Sequence, residues 1–261
     1  MITSPQNKKI KWVRSLQADR RARREWSAFV VEGIRMVEEV LSCGIRPLLI
    51  LHTPEQNPRA LSALEALAGL GAEVEEVSPQ VMRDASDTQT PQGLLLVLPV
   101  EAPPLPEEFD FALILDGVRD PGNLGAILRT AAAAGNVVVF ITPGSADLYS
   151  PKVVRAGMGA HFRLPVAPLN WGEIRRKTAG LKPVLASPHQ GAPYHRLNLN
   201  VPVALIIGGE AEGASPEARK FAQDYVHIPM GGAMESLNAA AAAAVLIFEV
   251  IRQRDSESPG K

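Results

Sequence analysis

The chain holds 261 residues, with 27 Lys and Arg against 28 Asp and Glu and a hydrophobic content of 46%, which bounds it to one large or two ordinary globular domains. A single cysteine, Cys43, excludes an internal disulfide and a cysteine-based metal cluster, and it fits a reducing compartment. The N-terminal Met1-Ile-Thr-Ser-Pro-Gln-Asn-Lys-Lys lacks the apolar core of a signal peptide, and the longest apolar stretch, 239–248, is about half of what spans a bilayer, so a cytoplasmic protein without a membrane segment is expected.

The near-neutral balance hides an asymmetry. Residues 1–24 carry Lys8, Lys9, Lys11, Arg14, Arg20, Arg21, Arg23 and Arg24 against Asp19 alone. Such a run is either a solvated helix face or an arm that contacts phosphates, because clustered Lys and Arg gain affinity by releasing counterions from nucleic acid. Trp12 and Trp26 accompany it and suit either base stacking or a helix core. Residues 32–41 then read as a helix closed by Cys43-Gly44. Residues 47–52 read as a buried strand. Asn57 and Pro58 open a second helix as cap and first turn; it runs to Ala68 and stops at Gly69 or Gly71. Residues 73–77 alternate like a strand, and 93–98 form another buried one. This small α/β unit has no Gly-rich ligand loop and reads as a docking module.

Residues 99–106 are proline-rich and are followed by Glu107 and Glu108, as in an interdomain linker. Beyond them β/α alternation is strong. Strands are predicted at 111–115, 137–141, 183–186, 203–207 and 225–228, all continuous apolar runs of the kind buried on both faces of a parallel sheet. Helices are predicted at 124–134, 150–155, 171–178, 216–222 and about 237–252. The alanine-dense stretches 131–134 and 239–244 suit close helix packing, inside the fold or between subunits. The polar tail 255–261 is expected to be disordered.

Three segments concentrate the chemistry. They are Asp120-Pro-Gly-Asn-Leu-Gly-Ala-Ile-Leu-Arg-Thr130, Ile206-Ile-Gly-Gly-Glu-Ala-Glu-Gly213 and Ile228-Pro-Met-Gly-Gly-Ala-Met-Glu-Ser-Leu-Asn238. Each sits where a buried strand ends, the edge at which α/β sheets hold ligands. In the first, Asn123 reads as the cap of a helix starting at Leu124, with Arg129 six residues on. The second is not the dinucleotide pattern G-x-G-x-x-G: its glycines are adjacent, and Glu210 and Glu212 repel phosphate. Small residues with a carboxylate suit a neutral or cationic ligand. In the third, Pro229 interrupts a normal ladder, Gly231 and Gly232 free the backbone to turn, and Ser236 or a neighbour caps the last helix. No pair among His52, His161, His189, His195 and His227 has metal-ligand spacing, so no metal is expected.

In this order, spaced by about 80 and 20 residues, the segments resemble the three motifs of the SpoU (TrmH-like) family of SPOUT RNA methyltransferases, over about 110–252. The stretch Phe29-Val-Val-Glu-Gly-Ile-Arg-Met-Val-Glu-Glu resembles the substrate-binding domain often fused ahead of it. The resemblance implies an α/β protein in four parts: an RNA substrate-binding domain at 1–98, a linker at 99–109, a methyltransferase domain at 110–254 and the tail. The methyltransferase domain would be an α/β-knot, a mostly parallel sheet with a deep trefoil knot. Patterning alone does not indicate a knot, since chains generally avoid them. The resemblance also implies S-adenosyl-L-methionine as cofactor, held in the knot by Gly208, Ile228 and Leu237, with Leu185, Gly209, Met230 and Ser236 as neighbours. It implies a homodimer with the site near the subunit interface.

The implied reaction is methyl transfer to a ribose 2′-hydroxyl of RNA. That hydroxyl is a poor nucleophile, and its proton must leave as the bond forms. The family assigns this step to the Arg of the first motif, here Arg129. Because a guanidinium rarely gives up a proton, two versions stand: a base whose proton passes to a substrate phosphate, or a phosphate clamp, with the phosphate or a water taking the proton. The polar set is Asn123, Arg129, Glu210, Ser236 and Asn238. Asn123 would orient Arg129 or the ribose, Glu210 would pair with Arg129, and Ser236 and Asn238 would hold nucleotide or donor. Arg35 and Arg155 join the eight N-terminal cations as RNA contacts. Among the family's members the two-domain layout most resembles ribosomal RNA enzymes, which implies 23S ribosomal RNA as substrate, with transfer RNA the alternative. The competing readings are an inactive RNA-binding protein of the same fold, which the intact polar set disfavours, and a Rossmann-type enzyme, which the missing G-x-G-x-x-G disfavours.

Overall fold

A computed structural model of the chain describes residues 1–54, 58–210 and 213–255. The predicted cap Asn57, the carboxylate Glu212 and the tail beyond Asp255 lie outside the described residues. The first elements are α1 (Lys8–Ala18), α2 (Arg20–Trp26), β1 (Ala28–Glu32), α3 (Ile34–Ser42), β2 (Leu49–His52), α4 (Pro58–Gly69), β3 (Glu73–Glu76), α5 (Pro79–Ala85) and β4 (Leu94–Pro99). Then follow β5 (Phe111–Asp116), α6 (Pro121–Ala134), β6 (Val138–Ile141), α7 (Pro151–Gly157), β7 (Val166–Pro168), α8 (Trp171–Lys177), β8 (Lys182–Ala186), β9 (Ala192–Pro193), β10 (Val203–Gly208), α9 (Pro216–Phe221), β11 (Asp224–His227) and α10 (Ala239–Asp255).

The chain forms two compact units, Met1–Glu101 with Asp147–Phe162, and Ala102–Ala146 with Arg163–Lys261. Asp147–Phe162, with α7, thus belongs to the first unit, and the division between the units falls at Glu101–Ala102, within the stretch read as a linker. The reason is apolar. Val154 and Phe162 are buried in that unit's core, and the Tyr149 ring lies 4.8 Å from that of Phe29.

The first unit is a four-stranded sheet of order β1-β4-β2-β3 with helices on both faces. Strand alternation divides its core. Phe29, Val31, Leu94, Leu96 and Leu98 face α3 and α4, while Ala28, Val30, Leu95 and Val97 face α1 and α5. β1 was hidden from the sequence reading because its five residues run into the helical pattern, which begins only at Ile34, after Gly33 turns the chain at φ +95°.

Arg23 corrects one expectation. It is only 6% exposed and cannot face RNA. Its guanidinium binds the Asp147 carboxylate at 2.7 Å and donates to the Leu16 and Gln17 carbonyls, tying α1 and α2 to the 147–162 segment. Removing one partner of a buried pair strands the other charge, at a cost of about 3–5 kcal/mol. Arg23→Ala should lose stability on that scale in denaturant unfolding, whereas exposed Arg21→Ala should stay within about 0.5 kcal/mol of the parent.

His161 is also a core residue. Its Nε2–H donates to the Leu148 carbonyl at 2.8 Å, and Nδ1 is buried without a partner. A second proton on Nδ1 would have neither water nor acceptor, so burial lowers the pKa from 6.5 to about 4 against the opposing effect of the Leu148 bond. As pH falls the unfolded chain takes up this proton first. Stability is thus complete above about pH 6.5 and falls toward pH 4, by at most about 3 kcal/mol. Denaturant midpoints measured from pH 7.5 to 4.5 should show this decline, and His161→Phe should flatten it.

The second unit is a seven-stranded, wholly parallel sheet of order β7-β6-β5-β10-β8-β11-β9. Ala112, Ile114, Phe140, Ala204 and Ile206 face α8 and α9. Residues of opposite parity, such as Leu113, Leu115 and Leu205, are equally buried, on the side where α6 and α10 pack together. Covering on both faces accounts for the unbroken apolar strands. All the parallel strands end at one edge, and the three segments emerge there.

Candidate active site

Two predicted helix starts are corrected. The cap of α6 is Asp120, whose carboxylate accepts from the Asn123 amide at 2.7 Å. Pro121 takes the first helical position because it needs no N–H there, so Asn123 lies inside the first turn with its side chain free for other partners. α10 begins at Ala239, and Asn238 caps it: Oδ1 accepts from the amides of Ala240 and Ala241 at 2.9 and 3.3 Å.

These two shifts bring the three segments together. Asn238 Nδ2 donates to Asn123 Oδ1 at 2.9 Å, and Asn123 Nδ2 donates to the Glu210 carboxylate. The line has one possible direction. The helix amides need an acceptor, which turns the Asn238 amide; Asn238 then needs an acceptor, which turns Asn123; and Glu210, an acceptor only, ends the chain.

The Glu210 loop is held at both ends by one residue that the sequence reading passed over. Asp116, 4% exposed at the end of β5, accepts from Gly209 N with its carbonyl at 2.9 Å and from Ser215 N with Oδ2 at 2.6 Å. Its Oδ1 accepts from Thr142 Oγ1 at 3.1 Å. The available signal was a carboxylate ending an apolar strand, where burial demands partners. The glycine pair serves the same packing. A Cβ on Gly208 would lie 2.6 Å from Ala214 N, and one on Gly209 2.4 Å from the Gly117 carbonyl oxygen.

Beside this junction, at the ends of β8, β10 and β11, lies a cavity of about 420 Å³. Leu185, Gly208, Gly209, Ile228, Met230, Ser236 and Leu237 stand on its walls, joined by Ile207, Ala242 and Leu246. Glu210 and Asn238 form part of its polar rim.

The comparisons with known proteins agree with this geometry. Residues 110–248 match the SpoU rRNA Methylase family, and residues 7–96 match the MRM3-like substrate binding domain. The 23S rRNA (guanosine(2553)-2′-O)-methyltransferase RlmP of Bacillus subtilis is 31% identical, over 95% of this chain and 98% of its own. A 23S rRNA (uridine(2479)-2′-O)-methyltransferase of Streptomyces viridochromogenes is 30% identical, over 98% of this chain and 93% of its own. The crystal structure of the SpoU methyltransferase AviRb from Streptomyces viridochromogenes, in complex with AdoMet, superposes with a TM-score of 0.87 at 28% identity, covering 96% and 99% of the two chains.

This chain belongs to the SpoU family of RNA methyltransferases. The SpoU catalytic fold is the one that carries the trefoil knot, here joined to an N-terminal binding domain. Within this SpoU domain Arg129 stands apart from Glu210: it is exposed, and its side chain has no hydrogen bond or ion pair among the described residues. Six residues along a helix place it about 120° around α6 from Asn123. The expected Arg129–Glu210 pair is thus replaced by Asn123–Glu210. Of the proposed RNA contacts, Lys9 binds Glu73 and Glu75, and Arg155 binds Asp87 at 2.7 Å. Arg20 lies 3.9 Å from Asp147. Lys8, Lys11, Arg14, Arg21, Arg24 and Arg35 are exposed. Among the described residues no cluster of His, Cys, Asp and Glu could hold a metal ion, and no helix is long and apolar enough to cross a membrane.

The side-chain line separates cleanly by substitution. Asn238→Asp keeps an oxygen for the α10 cap but loses the donor to Asn123. Its melting temperature should stay within about 2 °C of the parent, while methyl transfer falls by about tenfold or more.

Proposed function

We propose that this protein transfers a methyl group from S-adenosyl-L-methionine to a ribose 2′-hydroxyl of 23S ribosomal RNA. The observation that carries the reading is the Glu210–Asn123–Asn238 junction on the rim of an apolar cavity. The cavity fits the donor. Its volume is that of a small-molecule site, and its lining joins aliphatic side chains and glycine backbone, suited to an adenosine and a thioether chain, with polar groups such as Ser187, Gln190 and Glu235 that can accept or donate to the donor's polar atoms. Gly208, Ile228 and Leu237 hold the donor, with Leu185, Gly209, Met230 and Ser236 around it. Bound there, the donor supplies a methyl group on a positively charged sulfur.

The protein's own residues do the rest. Arg129, exposed and without an ion-pair partner among the described residues, clamps an RNA phosphate. Held this way, the nucleotide presents its 2′-oxygen, and the hydroxyl proton would pass to the phosphate or to a water as the methyl carbon leaves sulfur, which keeps the bond pair as a neutral thioether, and joins oxygen. Asn123 and Asn238 fix the rim against which the ribose is placed, and Glu210 terminates their hydrogen bonds. Orientation supplies much of the rate.

The N-terminal residues 1–98 bind the RNA, through the exposed cations of α1 and α2 and through Arg35. Residues 99–109 link them to the methyltransferase domain. The working unit is a homodimer: Phe248, 48% exposed on α10 beside the exposed Ala241, and Met234, 71% exposed, are covered by a second copy. The ribosomal substrate draws support from relatives named for 23S rRNA that match nearly the whole chain.

The test is methyl transfer from labelled S-adenosylmethionine to ribosomal RNA and, separately, to transfer RNA, with nucleosides resolved by mass spectrometry. A 2′-O-methyl nucleoside from ribosomal RNA alone is expected. Label on a base would overturn the ribose chemistry, and label on transfer RNA alone would overturn the substrate. Arg129→Ala should abolish turnover and leave donor affinity within about twofold. Equal loss of both would make Arg129 structural.

A further inference from the structure

We propose that Trp26 is a stacking platform for an unpaired base, so that the docking unit takes a single-stranded segment of the RNA rather than a duplex. This deepens the RNA-methyltransferase reading and rests on it.

The helix α1 buries Ile10, Val13 and Leu16 completely. Trp26, at the last position of α2, is 58% exposed. It is not a loose side chain. Its ring centroid lies 5.6 Å from that of Trp12, with the planes inclined at 60°, so one side is braced while the rest meets water. A braced aromatic loses little conformational freedom on binding, as at other rigid aromatic contact sites.

The charge carried by the same two helices names the ligand. Lys9 and Arg23 are consumed by internal partners, but Lys8, Lys11, Arg14, Arg21 and Arg24 are exposed and form no ion pair among the described residues. Lys8 lies one turn from Trp12 on α1. An apolar protein partner would bring no charge to match these cations, whereas a nucleic acid strand brings one phosphate per nucleotide. An RNA duplex would meet the cations equally well but hides its base faces inside the stack, leaving Trp26 in water. A single strand satisfies both features, its backbone on the cations and one base on the indole. Stacking of this kind tolerates any base, because every base has a π face.

The experiment uses the full chain and two fluorescein-labelled probes, a 12-nucleotide oligouridylate and a blunt 12-base-pair RNA duplex. The parent should prefer the single strand. Trp26→Ala should weaken oligouridylate binding by about tenfold, within the roughly 5- to 100-fold range of one lost stack, with duplex affinity and salt dependence unchanged. Trp26→Phe should recover most of the loss. Arg21→Gln with Arg24→Gln should weaken both probes and lower the salt slope. The platform is overturned if Trp26→Ala binds oligouridylate like the parent, if both probes weaken equally, or if the parent does not bind the single strand. Methyl transfer by the parent separates the two failures. A parent that methylates ribosomal RNA while Trp26→Ala binds normally loses only the platform, and a parent that methylates no RNA loses the functional reading beneath it.

Discussion

Asp116 is a buried carboxylate that must be fully hydrogen-bonded to exist where it does, and the second unit's functional edge is built around meeting that demand. One oxygen takes the Thr142 hydroxyl from the end of β6, the other takes the amide that starts α9, and the backbone carbonyl takes Gly209. Three strand ends and two loops are thereby held in one register. The adjacent glycines follow from the same constraint, because the loop backbones pass too closely for any side chain at 208 or 209. With the loop fixed, Glu210 can end the hydrogen-bonded line from Asn123 and Asn238, and that line in turn positions the start of α10. Loss of a partner at Asp116 costs more than the bond is worth singly, since that carboxylate is buried away from water.

The site divides its labour by polarity. Aliphatic side chains and glycine backbone stand on the walls of the cavity, while Asn238 and the Glu210 carboxylate stand on its polar rim. Arg129 lies outside the network, a third of a turn away on α6. An arginine locked to Glu210 would have its charge neutralised before any substrate arrived; an arginine left open keeps a planar fork of donors for phosphate.

The first unit shows how one basic run can serve two ends. Arg23 turns inward and Lys9 is paired at the surface, so neither charge is open; their neighbours turn outward and carry the field. The helical repeat sorts them, since positions three or four apart share a face. The same unit borrows Asp147–Phe162 from between β6 and β7 for its core, and Asp147 supplies the counter-charge without which Arg23 could not be buried.

Much of this was legible in the chain alone. Continuous apolar runs specified parallel strands covered on both faces, because only such strands exclude polar residues from both sides. The three Gly-containing segments marked the sheet edge beside which the cavity lies, because sharp turns at strand ends require small residues. Local sequence could not say which cations are buried, since Arg23 and Arg24 differ only in the face they take when α2 packs. It could not show that Asn123 sits inside its helix, where its side chain is released toward Glu210 by Asp120 and Pro121 taking the cap and first turn. Nor could it show that Glu210 meets Asn123 rather than Arg129, or that Asp116 holds the loop between them. Those pairings join residues 26 to 115 positions apart, and such distances are closed only by the packing of the sheet and its helices.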